Sequence, residues 1–377
     1  VKNILIAPGA FKNSLSAQVA AEAMAHGLRR CGLEAALHLL PIADGGNGTL
    51  DAFLAAGGEQ VVLQVDDPLG RKVPSAYGLL PDGKTAVIEM ALASGLELLK
   101  SDEMNALEAS TYGTGQLMQA ALERGARRFI VGMGGSATVD GGAGCMQALG
   151  VRLLDKNGDD LVRGGGALAY LHTVDTSLVD QRWHECEIVI ATDVENPALG
   201  LEGAAAVFGP QKGASPADVI TLENALSHYF SVIEQQLGKD VKRVSGGGAA
   251  GAFAAGLMAF LDGKIESGID LLLAHNHFED HLKDADLVIT GEGQMDSQTI
   301  YGKGPIGVAR LAKKYGVPTV AIVGGLNVDD KILHMAGIAA VLPIVNKPML
   351  LEEAIANAAE LVEMAALRLG YLLQLNE

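Results

Sequence analysis

Short apolar runs alternate with helix-patterned segments along most of the chain, and this alternation restricts the fold to the α/β class. "NILIAP" (3–8) reads as a strand, and "SAQVAAEAMAHGLRRCG" (16–32) reads as the helix that follows. Ser16 is its candidate N-cap, Arg29 and Arg30 sit in its last turn, and Gly32 lies just past its end. "AALHLLPIA" (35–43) is a second strand and "TLDAFLAAGG" (49–58) a short helix. The logic returns near the C-terminus, where the strands "DLVIT", "PTVAIVGG" and "AAVLPIVN" accompany the helix "PIGVARLAKKYG". One long helix over 351–373 is expected to close the chain. These strands are apolar throughout, as expected of parallel strands covered on both faces.

The segment 61–90 differs. Turn signals at Asp67-Pro68, Leu69-Gly70 and Asp82-Gly83 predict antiparallel hairpins. With 377 residues, two domains are the natural expectation. The pattern suggests one discontinuous domain from both chain ends and a second domain between them, with 105–150 compatible with either.

Composition narrows the function. A net charge of −17 argues against a nucleic-acid binder, which needs a basic face. It still allows phosphate ligands, because helix N-termini, backbone N–H groups and divalent metals hold them without basic side chains. Cys31, Cys145 and Cys186 are far apart and odd in number, so a reducing compartment is expected. The apolar run at the start leads straight into a strand–helix unit and does not read as a signal peptide. "SGGGAAGAFAAGLMAFL" is short for a membrane span and reads as a buried helix. A soluble cytoplasmic protein, with no membrane or nucleic-acid partner and compatible with a homo-oligomer, is the expectation.

In open α/β sheets, ligands lie beyond the carboxyl ends of the strands. Five such ends carry glycines or ionisable groups. "APGAFKNS" holds Lys12, "ADGGNGT" holds Asp44, and "TDVENP" holds Asp193. "GEGQMDSQT" holds Glu292 and Asp296, a pair suited to a divalent metal or a hydroxyl, and Lys303 follows in "YGKGP". The fifth is "GMGGSATVDGGAG" (132–144), in which six of thirteen residues are glycine and none is lysine or arginine. There the backbone, with Ser136 and Thr138, is expected to replace the missing basic side chains, while Asp140 is either a ligand contact or a turn cap.

Nucleotide fingerprints give weak signals. There is no Walker A motif. Gly132, Gly134 and Ala137 fit G-x-G-x-x-A, and Gly246, Gly248 and Gly251 fit G-x-G-x-x-G. Close helix–backbone packing explains each of these better than a dinucleotide does. His275, His277 and His281 lack the H-E-x-x-H order and read as a surface face. What remains is an α/β enzyme with anion-binding loops and several acids, a set that suits phosphoryl transfer.

The blocks "APGAFKNSLSA", "PIADGGNGT", "STYGTGQL", "GGSATVDGGAG", "ATDVENPALG", "VFGPQKGAS", "GGGAAGAFAAGL" and "ITGEGQMDSQTIYGKGPIGVA" occur in this order, and the chain resembles the bacterial type of glycerate kinase, the glycerate 2-kinase family, from end to end. The resemblance implies phosphorylation of D-glycerate by ATP with Mg2+, at the 2-hydroxyl. It implies a flavodoxin-like parallel-sheet domain (1–60 and 281–377) with a mixed-sheet α/β domain (61–280) inserted. Many members carry Asp-Ser where this chain has Gly9-Ala10 and Glu at Asn47, and several carry Arg at Gln294 and Cys at Thr192. Lys12, Asp44, Asp193, Glu292, Asp296 and Lys303 match. On this reading Asp193, Lys12 and Asp44 are catalytic, and Glu292 and Asp296 face the metal. Gly134, Gly135, Ser136, Thr138, Gly246, Gly247, Gly248 and Lys303 bind substrate or phosphate. The rival readings are a dinucleotide-dependent oxidoreductase and a non-catalytic protein of the same fold that binds a small acid.

Overall fold

The computed structural model describes residues 1–11, 13–43, 45–296 and 304–376. Its strands are numbered β1–β13 in chain order. The chain divides into two compact units, one made of Val1–Asp44, Asp51–Ala56 and Gly268–Glu377, the other of Gly45–Leu50 and Gly57–Ser267.

The first unit begins with β1 (Asn3–Pro8), whose residues from Ile4 onward are buried. The helix Ala17–Arg30 starts where Ser16 Oγ accepts from the N–H of Val19, and it ends beside Gly32 at φ +78°. Its buried stripe of Ala20, Ala21, Met24, Ala25 and Leu28 has helical spacing. β2 (Ala36–Leu39), β11 (Leu287–Met295), β12 (Thr319–Leu326) and β13 (Ile338–Pro343) complete a parallel sheet of order β13-β12-β11-β1-β2. That is the flavodoxin-like order, with a topological switch between β1 and β11. Burial on both faces explains the apolar strands. Val320 and Ile322 pack with Met24, Leu28 and Val362, while Ala321 and Val323 pack with Ile306, Ala309 and Leu333. A fully buried Ile or Val contributes roughly 1.5–3 kcal/mol.

The second unit opens as an antiparallel meander of β3 (Glu59–Asp66), β4 (Lys72–Leu79) and β5 (Thr85–Glu89). The turns fall where the sequence placed them: Gly70 N–H donates to Asp67 O, and Gly83 N–H to Leu80 O. The sheet then turns parallel, adding β6 (Arg128–Gly132), β9 (Glu187–Ala191) and β10 (Lys264–Glu266) in the order β10-β9-β6-β5-β4-β3. β7 (Arg152–Leu154) and β8 (Thr173–Asp175) form a separate antiparallel pair. Phe129, Trp183, Tyr229, Phe230 and Phe253 lie in this unit's largely aliphatic core.

Two helices depart from expectation. The closing helix is broken into Leu351–Ala356 and Ala358–Leu373 at Asn357, whose side-chain amide donates to Glu353 O and competes for a helix carbonyl. "GGGAAG" does not open a regular helix. Ala250, Gly251 and Ala252 are all left-handed (φ 55°, 68° and 66°), and right-handed geometry begins after them.

Candidate active site

The parallel strands of the second unit end level with one another. Glu89 on β5 pairs with Gly132 on β6, Gly132 with Ala191 on β9, and Ala191 with Glu266 on β10. The loops after β6 and β9 therefore emerge side by side, one carrying Gly134–Thr138 and the other Thr192 and Asp193. Gly45–Leu50 lies against them. The N–H of Gly134 donates to Gly45 O at 2.8 Å, and a Cβ at Gly134 would overlap the Cα of Gly46, so two backbones touch where side chains cannot fit. Glu89, 4% exposed, holds this segment by accepting from the N–H groups of Gly48 (3.1 Å) and Leu50 (3.0 Å).

The glycine-rich loop is built around two buried charged groups. Asp140 accepts from the Thr111 N–H and hydroxyl (2.8 Å each), the Gly142 N–H (3.1 Å) and the Gly144 N–H (3.2 Å). Burial pushes its carboxyl above the ordinary range, while these bonds favour the charged form. The structure thus makes Asp140 a cap for the loop's own backbone. The second group is Lys212, 2% exposed, at the end of the short turn Pro210–Lys212. Its Nζ donates to Ser136 Oγ and to Thr138 O, each at 2.7 Å. Desolvation draws its pKa down to about 7, and the charge of Asp140 opposes that fall. This corrects the expectation of a loop without basic side chains: the fold delivers a cation from 76 residues away.

Part of the loop's backbone is committed. Leu96 N–H donates to Gly135 O and Ala137 N–H to Ser94 O, forming a short antiparallel bridge. The N–H groups of Gly135 and Ser136 find no acceptor among the described residues. Gly135 is exposed, and Ser136 lies beside it with 6% exposure. Two N–H groups without an acceptor among the described residues, a hydroxyl and a buried ammonium therefore gather in one place, the kind of donor set that suits an anion.

The left-handed turn Ala250–Ala252 buttresses the same loop. Gly141 N–H donates to Gly251 O at 3.0 Å, and a Cβ at Gly251 would overlap Thr138 O. Gly246, Gly247 and Gly248 donate their N–H groups to Glu195 O, Val244 O and Asn196 O, and a Cβ at Gly246 or Gly248 would overlap Ile265 or Pro197 O. Neither fingerprint has a dinucleotide setting. Between β6 and the next helix, Ala143–Ala148, lie several irregular residues, and a long helix rather than a strand is the element preceding Gly246.

Asp193 follows β9 by two residues and is partly exposed; the neighbouring Thr192 Oγ1 accepts from Val194 N–H. In the first unit, Glu292 lies on β11 opposite Val323, and Asp296 follows Met295 directly. β1 and β11 flank the topological switch, where ligands of this sheet type bind. Lys12, Asp44 and Lys303 lie outside the described residues. Among the described residues no group of three or more His, Cys, Asp or Glu is placed to hold a metal. His277 is exposed, whereas His275 and His281 are half-buried, with His275 Nε2 3.2 Å from Phe53 O. Sequence reasoning missed Lys212 and Glu89. Glu89 had a usable signal, being an acid that closes the apolar run "AVIE", whereas Lys212 resembles any loop lysine.

A profile of the glycerate kinase family matches residues 4–374. A glycerate kinase of Halalkalibacterium halodurans is 48% identical over 367 residues, 97% of each chain. A glycerate 2-kinase of Escherichia coli K12 is 48% identical over 356 residues, covering 94% of this chain and 93% of that one. A crystal structure of a candidate glycerate kinase 2 from Salmonella typhimurium LT2 superposes with a TM-score of 0.87 at 44% identity, over 100% of this chain and 99% of the other. Among the described residues no helix is long and apolar enough to cross a membrane.

Proposed function

The chain belongs to the glycerate kinase family, and from that premise we propose that it transfers the terminal phosphoryl group of ATP to the 2-hydroxyl of D-glycerate. The observation that carries the reading is the set of donors at Gly135 and Ser136 on the loop after β6, which leaves the sheet level with and next to the loop after β9 that bears Asp193. Phosphoryl transfer depends more on positioning and electrostatics than on a protein nucleophile. These loops supply oriented donors and a nearby carboxylate.

In this mechanism Ser136 and the neighbouring N–H groups hold an anionic oxygen of the substrate. Asp193 accepts the hydroxyl proton as the glycerate oxygen bonds to the γ-phosphorus and the bond from that phosphorus to the β,γ-bridging oxygen breaks. ADP leaves with that oxygen. Lys12 and Lys303 are assigned to anionic oxygens of the reactants, and Asp44 is kept as a further catalytic acid. Glu292 and Asp296 offer the hard oxygen donors that suit Mg2+, which needs one or two carboxylates beside phosphate oxygens and would neutralise phosphate charge there.

An assay coupling ADP release to NADH oxidation, with D-glycerate and Mg-ATP, tests the activity. NMR of the product then separates 2-phosphoglycerate from 3-phosphoglycerate. Thermal-shift measurements provide a second check. Mg-ATP should protect the protein and NAD(P) should not, and the reverse result would reinstate an oxidoreductase.

A further inference from the structure

We propose that Lys212 is a positioning residue for substrate binding: it occupies the acceptor side of Ser136 Oγ, so that the Ser136 hydroxyl hydrogen is presented to an anionic oxygen of glycerate or ATP. The proposal rests on the kinase reading above and adds to it the group that orients the anion-binding edge.

A hydroxyl has one hydrogen to give and lone pairs to accept with, whereas an ammonium can only donate. The bond between Lys212 Nζ and Ser136 Oγ (2.7 Å) therefore has a fixed direction while Lys212 is charged. The serine hydrogen must point elsewhere, and it finds no acceptor among the described residues. The second bond, to Thr138 O (2.7 Å), stops the ammonium from swinging away. Backbone geometry fixes the base of the side chain: Lys212 N–H donates to Gly209 O, and Gly213 follows at φ +88° with its N–H on Pro210 O. The third N–H of the ammonium has no partner among the described residues. Because the group is buried, water screens its charge little. The charge acting on it is that of Asp140, whose carboxylate already takes four hydrogen bonds. Cys145 and Tyr229 are the other titratable groups around Asp140, and burial pushes both upward, so they stay neutral. A bound anion would offset the buried cation without competing for a salt bridge. A lysine buried only to support the loop would not need to meet the one hydroxyl at its exposed edge.

The test is a double-mutant cycle on the full-length enzyme with Lys212→Met, Ser136→Ala and their combination. Steady-state constants for D-glycerate and ATP are measured, together with D-glycerate binding by calorimetry and thermal melting. Each single variant should raise one KM about 10- to 100-fold and change kcat less, and the double variant should be no worse than the worse single one. A raised KM for glycerate identifies the anion as its carboxylate, and a raised KM for ATP identifies a phosphate oxygen. Lowered melting with both KM values unchanged, or effects that multiply, would overturn the proposal. Should Lys212→Met fail to fold, the wild type and Ser136→Ala suffice. Affinity for the anion should fall as pH rises through the Lys212 titration near neutrality, and Ser136→Ala should flatten that dependence. The same pH dependence in both proteins would count against the proposal. Wild type that binds D-glycerate without turnover would sink the kinase reading alone, leaving the binding data to decide the role of Lys212. Wild type that binds neither reactant would sink both.

Discussion

At the scale of single residues, chemistry concentrates in groups whose surroundings override their ordinary preferences. Asp193→Asn keeps the size of the side chain and removes a proton acceptor, so turnover should fall about 10²- to 10⁴-fold while melting is unchanged; near-normal turnover would move the general base elsewhere. Lys212 makes a prediction about stability. Its folded-state pKa of about 7 lies below the ordinary 10.5, so between those values the unfolded chain holds the extra proton. Stability should therefore rise with pH across that window in wild type relative to Lys212→Met. Asp140 acts in the opposite sense: its raised pKa means that its contribution is lost as pH climbs above the ordinary carboxylate range. Melting curves of wild type and Lys212→Met between pH 7 and 9 check the Lys212 sign directly. The sequence singled out Ser136, Thr138 and Asp193 because strand ends are visible in apolar patterning. It could not reveal Lys212, since nothing local distinguishes a lysine that will be buried 76 residues from its partner.

At the scale of elements, local rules held at caps and tight turns. The Ser16 cap, the hairpin turns at Gly70 and Gly83 and the first crossover follow from the sequence because each depends on a handful of adjacent residues. The left-handed turn at 250–252 was not legible. Two alanines in that conformation are strained by about 1–2 kcal/mol each, and only the surrounding packing keeps them there. Gly251 shows how much of that packing is shared with the loop. Gly251→Ala adds left-handed strain and drives a methyl group into Thr138 O, and it should cost about 2–5 kcal/mol by chemical denaturation. Gly32→Ala is the matched control. Gly32 has a similar φ (+78°) with nothing within 4 Å of the added methyl, so strain alone, about 1–2 kcal/mol, should appear. Equal losses at the two positions would mean that the turn and the loop are not coupled. The break at Asn357 escaped the sequence reading although its partner is local: apolar periodicity runs through it, and one side-chain amide competes for the carbonyl of Glu353.

At the scale of the whole molecule, the alternation of strands and helices and the use of both chain ends in one sheet were legible, because two-sided burial writes long apolar runs into parallel strands. Strand order came from family resemblance rather than periodicity, which says which segments pair poorly with water and not which pair with each other. The acidic balance has its own consequence. With 45 acidic and 28 basic side chains, the folded chain repels itself. Raising salt from about 20 to 200 mM shortens the screening length severalfold and should raise the melting temperature by a few degrees. A fall would mean that surface ion pairs such as Arg152–Asp160 and Arg128–Glu187 outweigh the repulsion.

Lys212 beneath Ser136 also sets a limit on modularity. An anion loop that carries its own lysine can be cut out and transplanted with its charge. This one draws its cation from a distant stretch of chain, the donors that clamp its own carboxylate from Thr111, and its buttress from a turn more than a hundred residues downstream. A graft of 132–144 alone would carry the glycines and leave behind what makes them useful. The smallest transferable device is therefore most of the second unit, and changes in this loop must be judged together with three partners that sequence proximity does not reveal.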